Sequence, residues 1–161
     1  MSQSLFYLIV NDNTPYVYDG VAALTNCVIS DNAAVTDGGG IYVDDGATTL
    51  TNCEISDNSA RYGGGISVHG DSATTLANCA VSGNTARYSG GGLYVKDASS
   101  TTLAQNCLFS ENKTQENGGG AARVLGTTAF VDCVVANNES SSYGGGVYAD
   151  CGTTTFTNCE I

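Results

Sequence analysis

The chain predicts an all-β fold, a parallel β-helix of stacked coils, and three observations lead there. Cysteines recur at Cys27, Cys53, Cys79, Cys107, Cys133 and Cys159, about 26 residues apart with one longer step. Each but the last is followed by a glycine triplet: Gly38–Gly40, Gly63–Gly65, Gly90–Gly92, Gly118–Gly120 and Gly144–Gly146. Between these landmarks lie only short segments of alternating apolar and polar residues. No stretch offers the ten or more residues of period 3.6 that a helix needs.

Three segments fill each coil. Ile41 and Val43 flank an outward Tyr42, Leu50 follows Thr48 and Thr49, and Cys53 and Ile55 flank Glu54. Period-two alternation with β-branched residues and glycine breaks reads as strands. Parallel strands stack about 4.8 Å apart, so roughly six coils of three strands would make a rod about 30 Å long. Residues 1–161 form one domain: an irregular first coil over 1–20, then repeats over 21–161 with the last coil incomplete. Leu5 to Val10 is placed to cover the first coil. The long step is assigned to Gln105 and to the turn from Val95 to Leu103. Arg123 aligns with Val43, Val68 and Val95, which predicts a local register break. A leucine-rich repeat also fits Leu50 to Asn58. It wants a large apolar residue where Ala34, Ala60, Ala86, Thr114 and Ser140 stand, and has one main strand per repeat, so the β-helix is preferred.

Composition narrows the partners. Five Lys plus Arg against 16 Asp plus Glu give a net charge of −11. That argues against nucleic acid, which needs a basic footprint, and against anionic membrane surfaces. Cations, neutral glycans and basic proteins remain. No apolar run reaches bilayer-spanning length, so no membrane insertion is expected. Leu5 to Val10 lacks the basic lead and small-residue cleavage site of a signal peptide.

These repeats resemble the right-handed β-helix repeats of the pectin-lyase-like superfamily. More narrowly they look like polymorphic outer-membrane protein repeats, with G-G-A-I and F-x-x-N motifs. Phe109-Ser110-Glu111-Asn112 and Gly119-Gly120-Ala121 match literally. Ile29…Asn32, Ile55…Asn58, Val81…Asn84 and Val135…Asn138 are softened forms. The resemblance implies right-handed coils and an extracellular or cell-surface location, as in adhesins and secreted passenger domains. Other members of the superfamily are polysaccharide lyases, hydrolases and epimerases.

Candidate residues fall into columns. Asn32, Asn58, Asn84, Asn112 and Asn138 form one, expected to bond coil to coil through amides that both donate and accept. Asn26, Asn52, Asn78, Asn106 and Asn158 form a second, with Asp132 in its gap. The six repeat cysteines point inward as a reduced row of small hydrophobes; ligands on a line do not converge on a tetrahedral metal, so neither metal nor cofactor is expected. Cys151 falls in an exposed turn. Thr48, Thr74, Thr101, Thr128 and Thr154 are read as an inward column. Their outward neighbours Thr49, Thr75, Thr102, Ala129 and Thr155 are irregular, which weakens an ice-binding reading.

Outward turns carry Asp44 and Asp45, His69 and Asp71, then Lys96 and Asp97. These are weak catalytic candidates, because Asp and Gly also suit solvated turns and acid–base work needs groups within hydrogen-bond reach. Tyr42, Tyr94 and Tyr148 share one outward position and are the candidates for ligand binding. Tyr62, Tyr88 and Tyr143 precede glycine triplets. The expectation is a non-catalytic structural or adhesive β-helix that binds glycans or proteins. Its partners would include neighbouring repeats of a longer chain or end-to-end copies. A polysaccharide lyase, hydrolase or epimerase is the first alternative.

Overall fold

The structure is a computed structural model describing residues 15–161; the cover expected from Leu5 to Val10 lies outside them. Parallel strands stack into four sheets. The first, here the tyrosine sheet, holds Tyr16–Tyr18, Ile41–Asp44, Ile66–His69, Leu93–Val95, Ala122–Val124 and Val147–Ala149. The second, the threonine sheet, holds Val21–Thr25, Ala47–Thr51, Ala73–Ala77, Thr101–Gln105, Thr127–Val131 and Thr153–Thr157. A third, five-stranded sheet carries Val28–Ser30 through Val134–Ala136. A fourth is built from Ser59–Tyr62, Thr85–Ser89, Lys113–Thr114 and Glu139–Ser140.

The coil count and strand count therefore change. The chain makes about five turns rather than six, at 26 residues for most turns, as in the pairing of Ala23 with Thr49 and Leu103 with Ala129. Besides the three expected segments, a fourth strand precedes the glycine triplet in most coils. Tyr16–Tyr18 already pairs in register with Tyr42–Asp44, so regular stacking starts before residue 21.

Alternation decides what is buried. Ile41, Val43, Leu50 and Ile55 point in, and their equivalents in the middle coils, such as Ile66, Val68, Leu76 and Val81, are fully buried, while those of the end coils are only partly covered. Volumes compensate between rungs. Ala104 stands where Leu50 and Leu76 stand, and the coil that loses this volume carries Phe109 in place of Ile or Val. Phe109 then meets Phe130 edge to face at 5.5 Å.

The triplets have two separate requirements. Gly63 takes a φ of +60°, a conformation L side chains rarely adopt. Gly64 has an ordinary φ but no room, since a Cβ there would lie 2.5 Å from the Thr85 carbonyl. In the fourth triplet the turn glycine is Gly119 (φ +79°), so Ala121 takes the third place and Gly118 stands outside the turn.

That shift corrects the expectation for Arg123. It pairs with Tyr94 and Tyr148, in the outward column, while Val124 continues the column of Val95. No buried charge and no register break arise there. Its guanidinium reaches Asp150 at 2.7 Å and Ser89 at 2.8 Å. The long step is also reassigned. Gln105 pairs in register with Ala77 and Val131 and is no insertion. One extra residue makes a bulge between Ala86 and Ser89, and another lengthens the turn after Val95. Consequently Thr102, not Thr101, completes the inward threonine column, and Leu103 faces out.

Two amide ladders tie the coils together. In the inner one, Asn58, Asn84, Asn112 and Asn138 each accept from the backbone N–H and the amide of the preceding asparagine, at 3.0–3.1 Å. Each also donates to a core carbonyl, as Asn84 does to Ile55 at 2.9 Å. The outer ladder lies on exposed αL corners, with φ from 51° to 56°, where Asn and Asp are the tolerated non-glycine residues. Asn52, Asn78 and Asn106 each donate to the rung before. Asp132 cannot donate to Asn106, so the ladder breaks there and resumes with Asn158 donating to Asp132.

The ladders predict unequal costs. Asn84→Ala strands the Asn58 N–H and the Ile55 carbonyl in the interior and is expected to lower unfolding free energy by about 3 kcal/mol or more. Asn52→Gly keeps the αL corner and loses only exposed bonds, for less than about 1 kcal/mol. Denaturant titration of both variants checks this; equal losses would contradict the inner ladder's role. The cysteines predict a second pattern. Cys27, Cys53, Cys79, Cys107 and Cys133 are buried, Cys159 is half-buried and Cys151 is exposed. A thiol reagent should label Cys151 at once and the five buried thiols only on unfolding.

Candidate functional site: the tyrosine face

All eight tyrosines among the described residues gather on or beside the outer face of the tyrosine sheet. The cause is register: Tyr16, Tyr42, Ser67, Tyr94, Arg123 and Tyr148 form one outward column. Tyr62, Tyr88 and Tyr143 stand just before glycine turns and fold back over that column. Tyr16 stacks on Tyr42 at 4.9 Å with a 6° interplanar angle, and Tyr18 adjoins Tyr16. Tyr62 touches both Tyr88 and Tyr94. Beyond Arg123, whose guanidinium lies 5.3 Å over the Tyr148 ring, Tyr143 stacks on Tyr148.

Exposure along this strip is uneven. Tyr16, Tyr18 and Tyr143 are 56%, 63% and 64% exposed, whereas Tyr94 is only 8% exposed. Of the three tyrosines proposed for binding, Tyr42 and Tyr148 are half-buried and Tyr94 is covered by its neighbours, so it offers little surface. Burial raises the Tyr94 phenol above its usual range, with Arg123 opposing. Burial first, and the Asp44 and Asp37 charges after it, push the Tyr42 phenol far up. Both remain neutral phenols near neutral pH.

The single His69 sits at the centre of the strip and is 4% exposed. An outward turn position becomes buried because Ser67, the one small residue of its column, leaves a pit that the imidazole fills. Tyr42 and Tyr94 wall it at 4.8 and 6.0 Å, both edge-on. Nε2 meets Ser67 Oγ at 2.9 Å and Asp37 Oδ1 at 3.2 Å. Nδ1 meets Tyr42 Oη at 3.3 Å and Lys96 Nζ at 3.4 Å. An ammonium only donates, so Nδ1 accepts and Nε2 carries the proton, which it offers to Asp37 and Ser67.

Ser, His and Asp side by side invite comparison with a nucleophile relay. The relay needs the serine and the carboxylate on opposite ring nitrogens, and here both face Nε2. Ser67 is also fully buried, so its hydroxyl meets no substrate. The cluster is built to hold the ring still.

The sequence candidates therefore divide. His69 and Lys96 meet directly, and Asp44 joins through the Tyr42 hydroxyl at 3.3 Å. The other three lie in the turn beyond. Asp45 accepts the Asp71 backbone N–H at 2.9 Å and Asp97 accepts that of Gly70 at 2.8 Å. Two of those carboxylates are thus committed to turn geometry, and only Asp71 projects freely, into a shallow groove with Asp19 and Asp45. Sequence reading missed Asp37 and Ser67. Their one signal was Ser67 itself, a lone small residue in a tyrosine column two positions before the only described histidine.

Removing the ring tests this account. His69→Ala leaves Asp37, Ser67 and Lys96 without their partner over a new cavity and should cost about 2–4 kcal/mol of stability. Equilibrium unfolding reads it; a loss below about 0.5 kcal/mol would show that the cluster does not anchor the face.

No group of three or more His, Cys, Asp or Glu among the described residues converges to hold a metal. No helix among them is long and apolar enough to cross a membrane. No curated protein and no solved structure matches the chain. The family model for the right-handed β-helix region matches residues 10–161. By its repeat, its parallel stacking and that match, the chain belongs to the right-handed β-helix region family.

Proposed function

We propose that this β-helix is a non-catalytic binding scaffold, extracellular or at a cell surface, whose tyrosine face takes up neutral glycans. The observation that carries the reading is the Tyr16–Tyr42 stack with Tyr18 beside it, exposed on a flat parallel sheet. Aromatic rings bring contact area at low entropic cost and keep a polar tip for hydrogen bonding. Carboxylates of Asp37, Asp44 and Asp150 border the strip, and the net charge of −11 disfavours uronic-acid polymers. A repeat of the polymorphic outer-membrane protein kind accords with this use. The enzyme reading is weaker, since His69 is walled in and Asp71 does not approach it. An ice-binding face is not favoured either: the outward column of the threonine sheet runs Ala23, Thr49, Thr75, Leu103, Ala129, Thr155.

Calorimetric titration with soluble fragments of xylan, β-glucan and polygalacturonate tests the proposal. Binding of a neutral fragment is expected, with the anionic one weaker. The double variant Tyr16→Ala, Tyr18→Ala should lose at least tenfold in affinity with its melting temperature little changed. Absence of binding to every neutral fragment would overturn the reading, and accumulation of new reducing ends or unsaturated products would replace it with the enzymatic alternative.

A further inference from the structure

The cysteine row has a geometry that neither packing nor the tyrosine face requires. Each thiol lies one residue inside an exposed αL corner, and its surroundings repeat rung after rung. The sulfur sits 3.2–3.4 Å from the carbonyl two residues back: Thr25, Thr51, Ala77, Gln105, Val131 and Thr157. From Cys53 onward it also sits 3.3–3.5 Å from a carbonyl of the coil before, on Leu24, Leu50, Leu76, Ala104 and Phe130 in turn. Identical partners at every rung mean one side-chain conformation throughout. The sulfurs are therefore translated by the strand spacing of about 4.8 Å.

Two consequences follow for a cation. A metal–sulfur bond of about 2.3 Å puts two sulfurs about 4.6 Å apart across a linear centre, close to that spacing. The carbonyl oxygens aim the negative ends of their dipoles at the row, which favours a cation there and opposes a bare anion. Tetrahedral ions find no third or fourth ligand on a line. Soft thiolate donors select ions such as Cu(I), and closed-shell ions of that class accept two-coordinate linear geometry.

We propose that adjacent cysteines of the row bind soft monovalent d10 cations, Cu(I) or Ag(I), one ion bridging two sulfurs of successive coils. Each ion forms a bond to one sulfur as that thiol's S–H bond breaks, and the proton leaves to solvent. The second sulfur binds through a lone pair, still protonated. One positive charge replaces another, so the buried row gains no net charge and avoids the cost of an unpaired ion. The adjoining thiol first, and burial after it, push the Cys53 and Cys107 thiols up, so those sulfurs keep their protons.

The test counts ions against adjacency rather than against thiols. The full chain carrying Cys151→Ser, reduced and without oxygen, is titrated with silver nitrate, and bound ions are counted by native mass spectrometry while the β-sheet spectrum is followed. Six sulfurs in a row make three pairs, so three ions are expected with the spectrum retained. Cys79→Ala with Cys133→Ala leaves four row sulfurs but one adjacent pair, and one ion is expected. Cys27→Ala with Cys159→Ala also leaves four, now as two adjacent pairs, and two ions are expected. Equal loading of the two double variants, or loading only with loss of the spectrum, would overturn the proposal. Should either variant fail to fold, X-ray absorption on the silver-loaded Cys151→Ser chain decides. Two sulfurs per ion are expected, and three or more would overturn it.

Discussion

Every structural feature here depends on one constraint: each side chain is stacked on its own equivalent at the parallel strand spacing of about 4.8 Å. Such a lattice rewards residues that can bond to themselves and penalises those that cannot. Asparagine meets the demand because one amide both donates and accepts, and the inner ladder runs unbroken from Asn32 to Asn138. An aspartate cannot, which is why the outer ladder stops at Asp132. Opposite charges on successive rungs pair in the same way: Arg87 with Glu116, Lys113 with Glu139, Arg123 with Asp150. The inward threonines show the opposite case, since the hydroxyls of Thr48, Thr74, Thr102, Thr128 and Thr154 are buried with no protein partner in reach.

The same constraint turned an expected surface residue into a buried one. His69 belongs by sequence to a solvated turn, but the column beside it carries the large rings of Tyr42 and Tyr94 on either side of the small Ser67. Stacking therefore closes the column over the imidazole. Asp37 arrives from the strand edge before the glycine turn, paired as a bridge with Tyr62. A position that reads as reactive in one dimension becomes a fixed element of the face in three. The tyrosines that lack such a roof, chiefly Tyr16, Tyr18 and Tyr143, form the exposed part of the strip.

Fold class, the parallel stacking and the two asparagine columns were legible in the chain because each repeats at a constant interval. What was not legible depended on where insertions are absorbed. Counting back from Cys107 made Gln105 the extra residue, yet the backbone absorbs one residue in a bulge before Gly90 and another in the turn after Val95. A bulge leaves no mark in composition. For the same reason Thr101 was placed in the inward column that Thr102 occupies. Arg123 was misread because the triplet Gly118–Gly120 was aligned by its glycines, whereas the turn is fixed by the residue that must adopt positive φ. That residue is Gly119, and the motif Gly119-Gly120-Ala121 already held the register.

The cysteine row tests how far like-with-like stacking can go for a titratable group. Asparagines in identical settings behave identically, because no rung gains by differing from the next. Each thiol likewise repeats its neighbour's setting, donating to backbone carbonyls two residues back and in the coil before. A group that replaces a thiol proton without changing charge fits this row at the spacing the sheet already fixes. One that adds charge must overcome burial in a corner whose exposed asparagines, Asn52, Asn78 and Asn106, spend their amides on each other. The stacking that makes the scaffold rigid is therefore also what limits the chemistry its interior can accept.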